Sequence, residues 1–212
     1  MSEIIIKTNE LAKSYKGIQV LKNLNLEIPA HSIVGFLGPN GAGKSTTIKL
    51  LLGLIHPTSG SGSIFGQDIV HESQAIRQRV GYLAQQPRFD ETMTARQTLR
   101  FVAKFFLHGS SEAIEKHVED SLELVGLSDK ADRSVHGFSG GEIQRLGIAQ
   151  AQINEPELLI LDEPAAALEC CIRADRRDDA RRSERTGAED AGNIAAQPVP
   201  LLVAHQWTVA VA

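Results

Sequence analysis

An α/β fold is predicted, with a mostly parallel sheet, an antiparallel layer before it and a helical insertion. Three observations in the 212-residue sequence carry that prediction. First, the apolar run Ile33, Val34, Phe36 and Leu37 leads through a glycine-rich segment into the helical pattern Ile48, Leu51, Leu52 and Ile55. That order suits a strand buried on both faces of a parallel sheet. Second, Glu157 to Leu161 forms another buried strand, which delivers two adjacent carboxylates, Asp162 and Glu163. Third, Thr94 to Val125 has helical periodicity, with Leu99, Val102, Ala103 and Phe106 on one face and Ile114, Val118, Leu122 and Val125 on another.

In chain order, Ile4 to Lys7 and Val20 to Ile28 carry strand patterns, the second alternating as Leu24, Leu26 and Ile28, and supply the antiparallel layer. Tyr15, between them, is either a sheet residue or an aromatic able to stack on a purine. Gly38 to Ser45 then fits G-x-x-x-x-G-K-[ST] at every fixed position. Glycines 38, 41 and 43 allow backbone N–H groups to turn inward on an anion, and the helix starting near Lys44 adds its positive end. Lys44 would reach the β- and γ-phosphates of a bound nucleotide, and the Ser45 hydroxyl would take a Mg²⁺ site.

The stretch His56 to Gly62 is dense in turn formers and is expected to end that helix before a short strand, Ser63 to Gly66. Arg79 to Ala84 reads as a further strand ending at Gln85, where ligands collect in an open α/β sheet or where a plain polar loop residue stands. The charges Glu115, Lys116, Glu119 and Asp120 read as the solvated side of the helical insertion. Phe138-Ser139-Gly140-Gly141-Glu142 opens another helix. It offers a second anion site or, with Glu142 three residues after Ser139, a capping box. Two carboxylates after a buried strand, in a chain with a phosphate loop, suggest a Mg²⁺ contact and a base.

Apolar residues at 42% and charged residues at 23% are those of an ordinary globular protein with one sizeable core. The net charge of −4, without a basic stripe, gives no reason to expect nucleic-acid binding. No apolar run approaches the roughly 20 residues that span a bilayer, and the Met1–Lys7 segment lacks the length and charge of a signal peptide, so a cytosolic location is expected. Cys170 and Cys171 are neighbours and imply no disulfide framework.

Gly38 to Thr46, Gln85, Phe138 to Glu142 and Leu158 to Pro164 occur in the order and approximate spacing of an ABC-type ATPase. Residues 3–168 thus resemble the nucleotide-binding subunit of an ABC transporter. The resemblance implies a P-loop NTPase core sheet, an antiparallel β subdomain and a helical signature subdomain at about 87–155, within a nucleotide-binding domain of residues 1–169. It implies ATP and Mg²⁺ as ligands, with Gly38, Pro39, Asn40, Gly41, Ala42, Gly43, Lys44, Ser45 and Thr46 around the phosphates and Tyr15 stacked on adenine. Ser45, Gln85 and Asp162 would serve the metal, and Glu163 would polarise the attacking water. Ser139, Gly140, Gly141 and Glu142 would complete the ATP site of an opposite subunit, so that a homodimer or paired subunit sandwiches two nucleotides. The other implied partner is an integral membrane permease, which would hold the subunit on the cytoplasmic face. The run Gly81 to Gln85 looks most like bacterial exporters. A soluble ABC ATPase unconnected with transport and a nucleotide-binding remnant without turnover are the alternatives.

The chain departs from the family after Leu168. Glu169 stands where the family has aspartate, and residues 170–190 hold six Arg, six acidic residues and one strong hydrophobe, Ile172. Nine lysines occur up to residue 169 and none afterwards, a switch that a changed reading frame would produce. Sequencing the gene for a family-like strand and histidine in another frame downstream tests that hypothesis. The sequence-level expectation is therefore an atypical charged tail, 170–212, that leaves the sheet open beside the Asp162 strand and lowers stability. The competing expectation is a natural variable tail in which Pro200 to His205 forms a strand, with His205 as a γ-phosphate contact.

Overall fold

The computed structural model describes residues 3–36, 38, 39, 41–162 and 208–211, and within these the chain forms two four-stranded sheets and five α-helices. The first sheet is antiparallel, in the order β2-β1-β4-β5. Strands β1 (Ile4–Tyr15) and β2 (Ile18–Pro29) make its hairpin. They are joined by Lys16 and Gly17, both at positive φ, the two-residue geometry whose twist matches the flanking strands. Tyr15 is the last residue of β1, paired with Ile18.

Strand β4 (Ser59–Ile64) begins earlier than the sequence suggested. Ser59 to Gly62 reads as a turn by composition, yet it pairs with Ala12 to Thr8 of β1, because small side chains fit close against that strand. Phe65 and Gly66, read as strand, form the tight turn into β5 (Gln67–Asp68).

The second sheet is parallel, in the order β3-β8-β7-β6. It is built from β3 (Ile33–Gly35), β6 (Val80–Leu83), β7 (Leu158–Leu161) and β8 (Thr208–Val211). The expected open edge beside the Asp162 strand is absent: β8 pairs with β7 on one side and with β3 on the other. The backbone groups of β7, buried along its whole length, thereby find partners, as buried strand backbone must. The proposed strand Pro200 to His205 lies outside the described residues.

Helix α1 (Lys44–Leu51) follows β3, and α2 (Ser73–Arg79), which sequence periodicity did not reveal, precedes β6. The helical insertion is the pair α3 (Ala95–Phe106) and α4 (Ser111–Leu124), each started by a side-chain cap, Thr94 and Ser110. Glu115 and Glu119 are more than a solvated face: Arg100 binds Glu115, and Arg96 binds both Glu119 and Asp132.

Strand β7 joins the two cores. Leu158 and Ile160 point into the cluster with β1, β4, α1 and α2, whereas Leu159 and Leu161 point into the cluster with α3, α4 and α5 (Gly140–Gln152). That division follows from the two-residue period of a strand buried on both faces. Helix α5 lies directly on β6 at Gly81, where a Cβ would come within 2.0 Å of the Ala151 carbonyl.

Candidate functional site

The loop between β3 and α1 shows why its glycines are needed. Gly41 and Gly43 sit at φ +83 and +90, and a Cβ on Gly43 would stand 3.0 Å from the Val20 carbonyl of β2. Gly43 is the N-cap of α1, provides no side-chain cap, and no acidic residue follows in the first turn. The positive end of that helix is therefore uncompensated by side chains. Ala42 N–H donates to the Pro39 carbonyl at 3.1 Å, and the Thr47 hydroxyl donates to the Gly43 carbonyl at 3.0 Å, which fixes the turn. Lys44 folds back over the loop, its Nζ donating to the carbonyls of Gly38 at 2.8 Å and Pro39 at 3.4 Å. Asn40 lies outside the described residues.

Across 117 positions of sequence, Ser45 Oγ lies 3.4 Å from Asp162 Oδ1. Asp162 directly follows β7, its N–H donates to the Leu83 carbonyl at 2.9 Å, and its side chain is 5% exposed. Among the described residues no lysine, arginine or histidine pairs with it. A buried carboxylate needs a compensating charge. A hydroxyl and a carboxylate are hard oxygen donors, so this pair fits Mg²⁺. No group of three or more His, Cys, Asp or Glu among the described residues forms a larger metal cage, which suits an ion held jointly with substrate phosphates.

Gln85 is exposed two residues beyond β6. Leu83 pairs with Leu161 in the parallel register, so Gln85 and Asp162 stand at the same end of the sheet. Tyr15 is 45% exposed, with Lys13 Nζ 5.0 Å from its ring centroid, at the hairpin end whose second strand packs on Gly43 through Val20. Glu163 and His205 lie outside the described residues.

Helix α5 begins differently. Ser139 Oγ accepts from the Glu142 N–H at 3.3 Å, and Glu142 Oε2 accepts from the Ser139 N–H at 2.7 Å, a complete capping box. Glu142 Oε1 also meets Lys130 Nζ at 2.6 Å. Lys130, then the two Ser139 contacts, hold the Glu142 carboxyl down to about 2. Glu142 is thus buried and bonded both within its own helix and to Lys130. Gly140, by contrast, is exposed and would meet nothing within 4 Å if given a Cβ, and Gly141 would meet only Arg145 at 3.9 Å.

Three features escaped the sequence reading. Tyr82 lies near Asp162: burial first, and the Asp162 charge second, push its hydroxyl above the usual value. Arg145, one turn into α5, keeps a buried Nε without a partner among the described residues. The segment after Gln85 is also tied to the one before Ser139. Val135 N–H donates to the Met93 carbonyl at 3.0 Å, the Ser134 hydroxyl donates to the Glu91 carbonyl at 2.8 Å, and His136 Nδ1 lies 3.0 Å from Glu91 Oε2. Periodicity identifies none of these, because each depends on how distant segments pack.

Comparison with known proteins bears on the family and the fold. A family model described as ABC transporter matches residues 21–166. The chain is 44% identical over 165 residues to the bacitracin transport ATP-binding protein BcrA of Bacillus licheniformis, covering 78% of this chain and 53% of that protein. It is 37% identical over 164 residues to the daunorubicin/doxorubicin resistance ATP-binding protein DrrA of Streptomyces peucetius, covering 77% and 49%. It is 38% identical over 169 residues to the Nod factor export ATP-binding protein I of Burkholderia orbicola (strain AU 1054), covering 80% and 55%. The chain therefore spans about half the length of these curated relatives. A dimeric ATP-binding cassette in a post-hydrolysis state with ADP and Pi superposes with a TM-score of 0.76 at 25% identity, over 98% of this chain and 87% of that one. The cbiO1 protein from Clostridium perfringens, at a TM-score of 0.71 and 24% identity, covers 99% of this chain and 78% of its own and shows the fold alone.

Proposed function

The chain belongs to the ABC transporter family, by its ATP-binding cassette, and from that premise we propose that it binds Mg·ATP and hydrolyses it to drive export through a membrane permease. The observation that carries this reading is the approach of Ser45 Oγ to the buried Asp162, which has no basic partner among the described residues, beside an uncapped helix N-terminus. In it, the amides of Gly41 to Ser45 and the Lys44 ammonium hold the triphosphate, and Ser45 and Asp162, with Gln85, hold Mg²⁺. Bound Mg²⁺ supplies positive charge to the β- and γ-phosphate oxygens. Glu163 polarises the attacking water, Tyr15 stacks on adenine, and His205 is the candidate γ-phosphate contact.

Ser139, Gly140 and Gly141 close over the nucleotide of a second subunit. Two glycines that this chain's own packing does not require leave room for that approach. The relatives are named as ATP-binding proteins of transport, resistance and export systems, which supports a permease partner for the transport path. The names of the relatives, which include drug resistance and Nod factor export, support the direction of transport.

One observation favours a second reading, a nucleotide-binding remnant. The family match ends at residue 166, and the composition changes just beyond it. Turnover separates the two. The full chain should bind Mg·ATP and hydrolyse it, and Glu163→Gln should lower the rate by about 10³-fold or more while leaving binding intact. Binding without hydrolysis in the unmodified chain selects the remnant, and no binding by the folded protein removes both readings. Capture of a polytopic membrane protein from membrane extracts tests the permease assignment.

A further inference from the structure

Strand β1 ends in Lys13, Ser14 and Tyr15, and this end is tied to the chain that follows α1. Ser14 N–H donates to Thr58 Oγ1 at 3.0 Å, and Thr58 N–H donates to the Ala12 carbonyl at 2.9 Å. Lys13 Nζ donates to the His56 carbonyl at 2.6 Å and lies 5.0 Å from the Tyr15 ring centroid. Lysine can do both at once, because its ammonium carries several donors and a full charge. Helix α1 itself starts at the phosphate loop, and His56 follows its end at Leu51 after a short connection. One ammonium thus links an exposed aromatic ring to the element that carries the phosphate site.

Tyr15 is 45% exposed, so a base has access to its ring. An exposed ring at a strand end exchanges between rotamers unless something holds it, and ordering it on binding costs affinity. A cation over one face of a phenol ring is attracted by the ring's π electrons, which fixes the ring before a ligand arrives and leaves the opposite face for stacking. We infer that Lys13 is a positioning residue for the base: anchored on the His56 carbonyl, it holds the Tyr15 ring at a set distance from the phosphate loop. The inference rests on the reading of Tyr15 as the adenine platform. The contacts of Lys13 are distinct from the loop carbonyls that Lys44 meets, so its loss is expected to act on the base and not on the phosphates.

The test is calorimetric titration of the full chain with Mg·ATP and with Mg·tripolyphosphate, which has the phosphates without the base. Lys13→Met should weaken Mg·ATP binding about three- to fivefold and leave Mg·tripolyphosphate unchanged. Tyr15→Leu should weaken Mg·ATP binding roughly tenfold, and adding Lys13→Met to it should cost nothing further. Unchanged Mg·ATP affinity in Lys13→Met, equal losses for the two ligands, or a fully additive loss in the double variant overturns the inference. If Lys13→Met does not fold, Lys13→Gln is read by the same criteria. Failure of the underlying reading has its own signature: Tyr15→Leu then leaves Mg·ATP binding unaffected, or the unmodified chain binds neither ligand, and the inference falls with it.

Discussion

Helices α1 and α5 both begin at a small-residue loop, and the two beginnings are opposite in chemistry. At α1 the glycines are required by the chain's own backbone, the N-cap carries no side chain, and no carboxylate follows. At α5 the N-cap serine and Glu142 satisfy the first amides, Lys130 balances the carboxylate, and the glycines face open space. An end left unsatisfied attracts an anion, whereas an end already satisfied presents a surface. The same composition thus leaves a helix end bare in one place and closes it with its own side chains in the other.

The contrast is broken most forcefully at the two lysines. Lys44→Ala should weaken Mg·ATP binding by about 2–3 kcal/mol, roughly 30- to 150-fold. Lys130→Ala, which disturbs only the second loop, should leave the affinity of a single protomer unchanged. Calorimetric titration of both variants measures the difference, and equal losses would mean that the two helix ends act alike.

Exchanging glycines should produce effects of unequal size. Gly43→Ala forces a side chain into the left-handed region, costing about 1–2 kcal/mol, and adds the Val20 carbonyl contact. Gly140→Ala enters open space at the first turn of α5, so stability should stay within about 0.5 kcal/mol of the parent. Urea denaturation of each variant decides, and comparable destabilisation by both would contradict the contrast.

The smallest effect is on pH dependence, where only α5 carries a titrating cap. The Glu142 carboxyl is depressed from its ordinary value of 4.5 to about 2 in the folded protein. Its contribution to stability is complete above pH 4.5 and is lost as pH falls through that window towards about 2. Glu142→Gln should flatten the stability curve between those values relative to the parent, as thermal melts across the range would report. A parallel pair of curves would show that the carboxylate is not stabilised by folding.

Much of this was readable from neighbouring residues. The G-x-x-x-x-G-K-S run, the apolar β7 before Asp162 and the faces of α3 and α4 are all patterns within a few positions, and each sits where the pattern placed it. Where the short-range pattern was ambiguous, the reading was wrong at one place and left two alternatives open at another. Ser59 to Gly62 has the composition of a turn and forms a strand because β1 offers it a register. Ser139 with Glu142 fits an anion loop or a cap equally well, and Lys130, ten positions away in sequence from Gly140, is the contact that consumes the carboxylate.

The sequence by itself determined that this chain holds a phosphate loop, a strand ending in carboxylates, a helical insertion and the motifs of the ABC family, because those are local patterns of side chains. Only the tertiary structure decided that Asp162 meets Ser45 with no basic partner among the described residues, that Glu142 turns inward, and that Thr208–Val211 closes the sheet between β3 and β7. Those outcomes follow from burial and strand register, in which residues more than a hundred positions apart compete for the same backbone partners and the same buried charge.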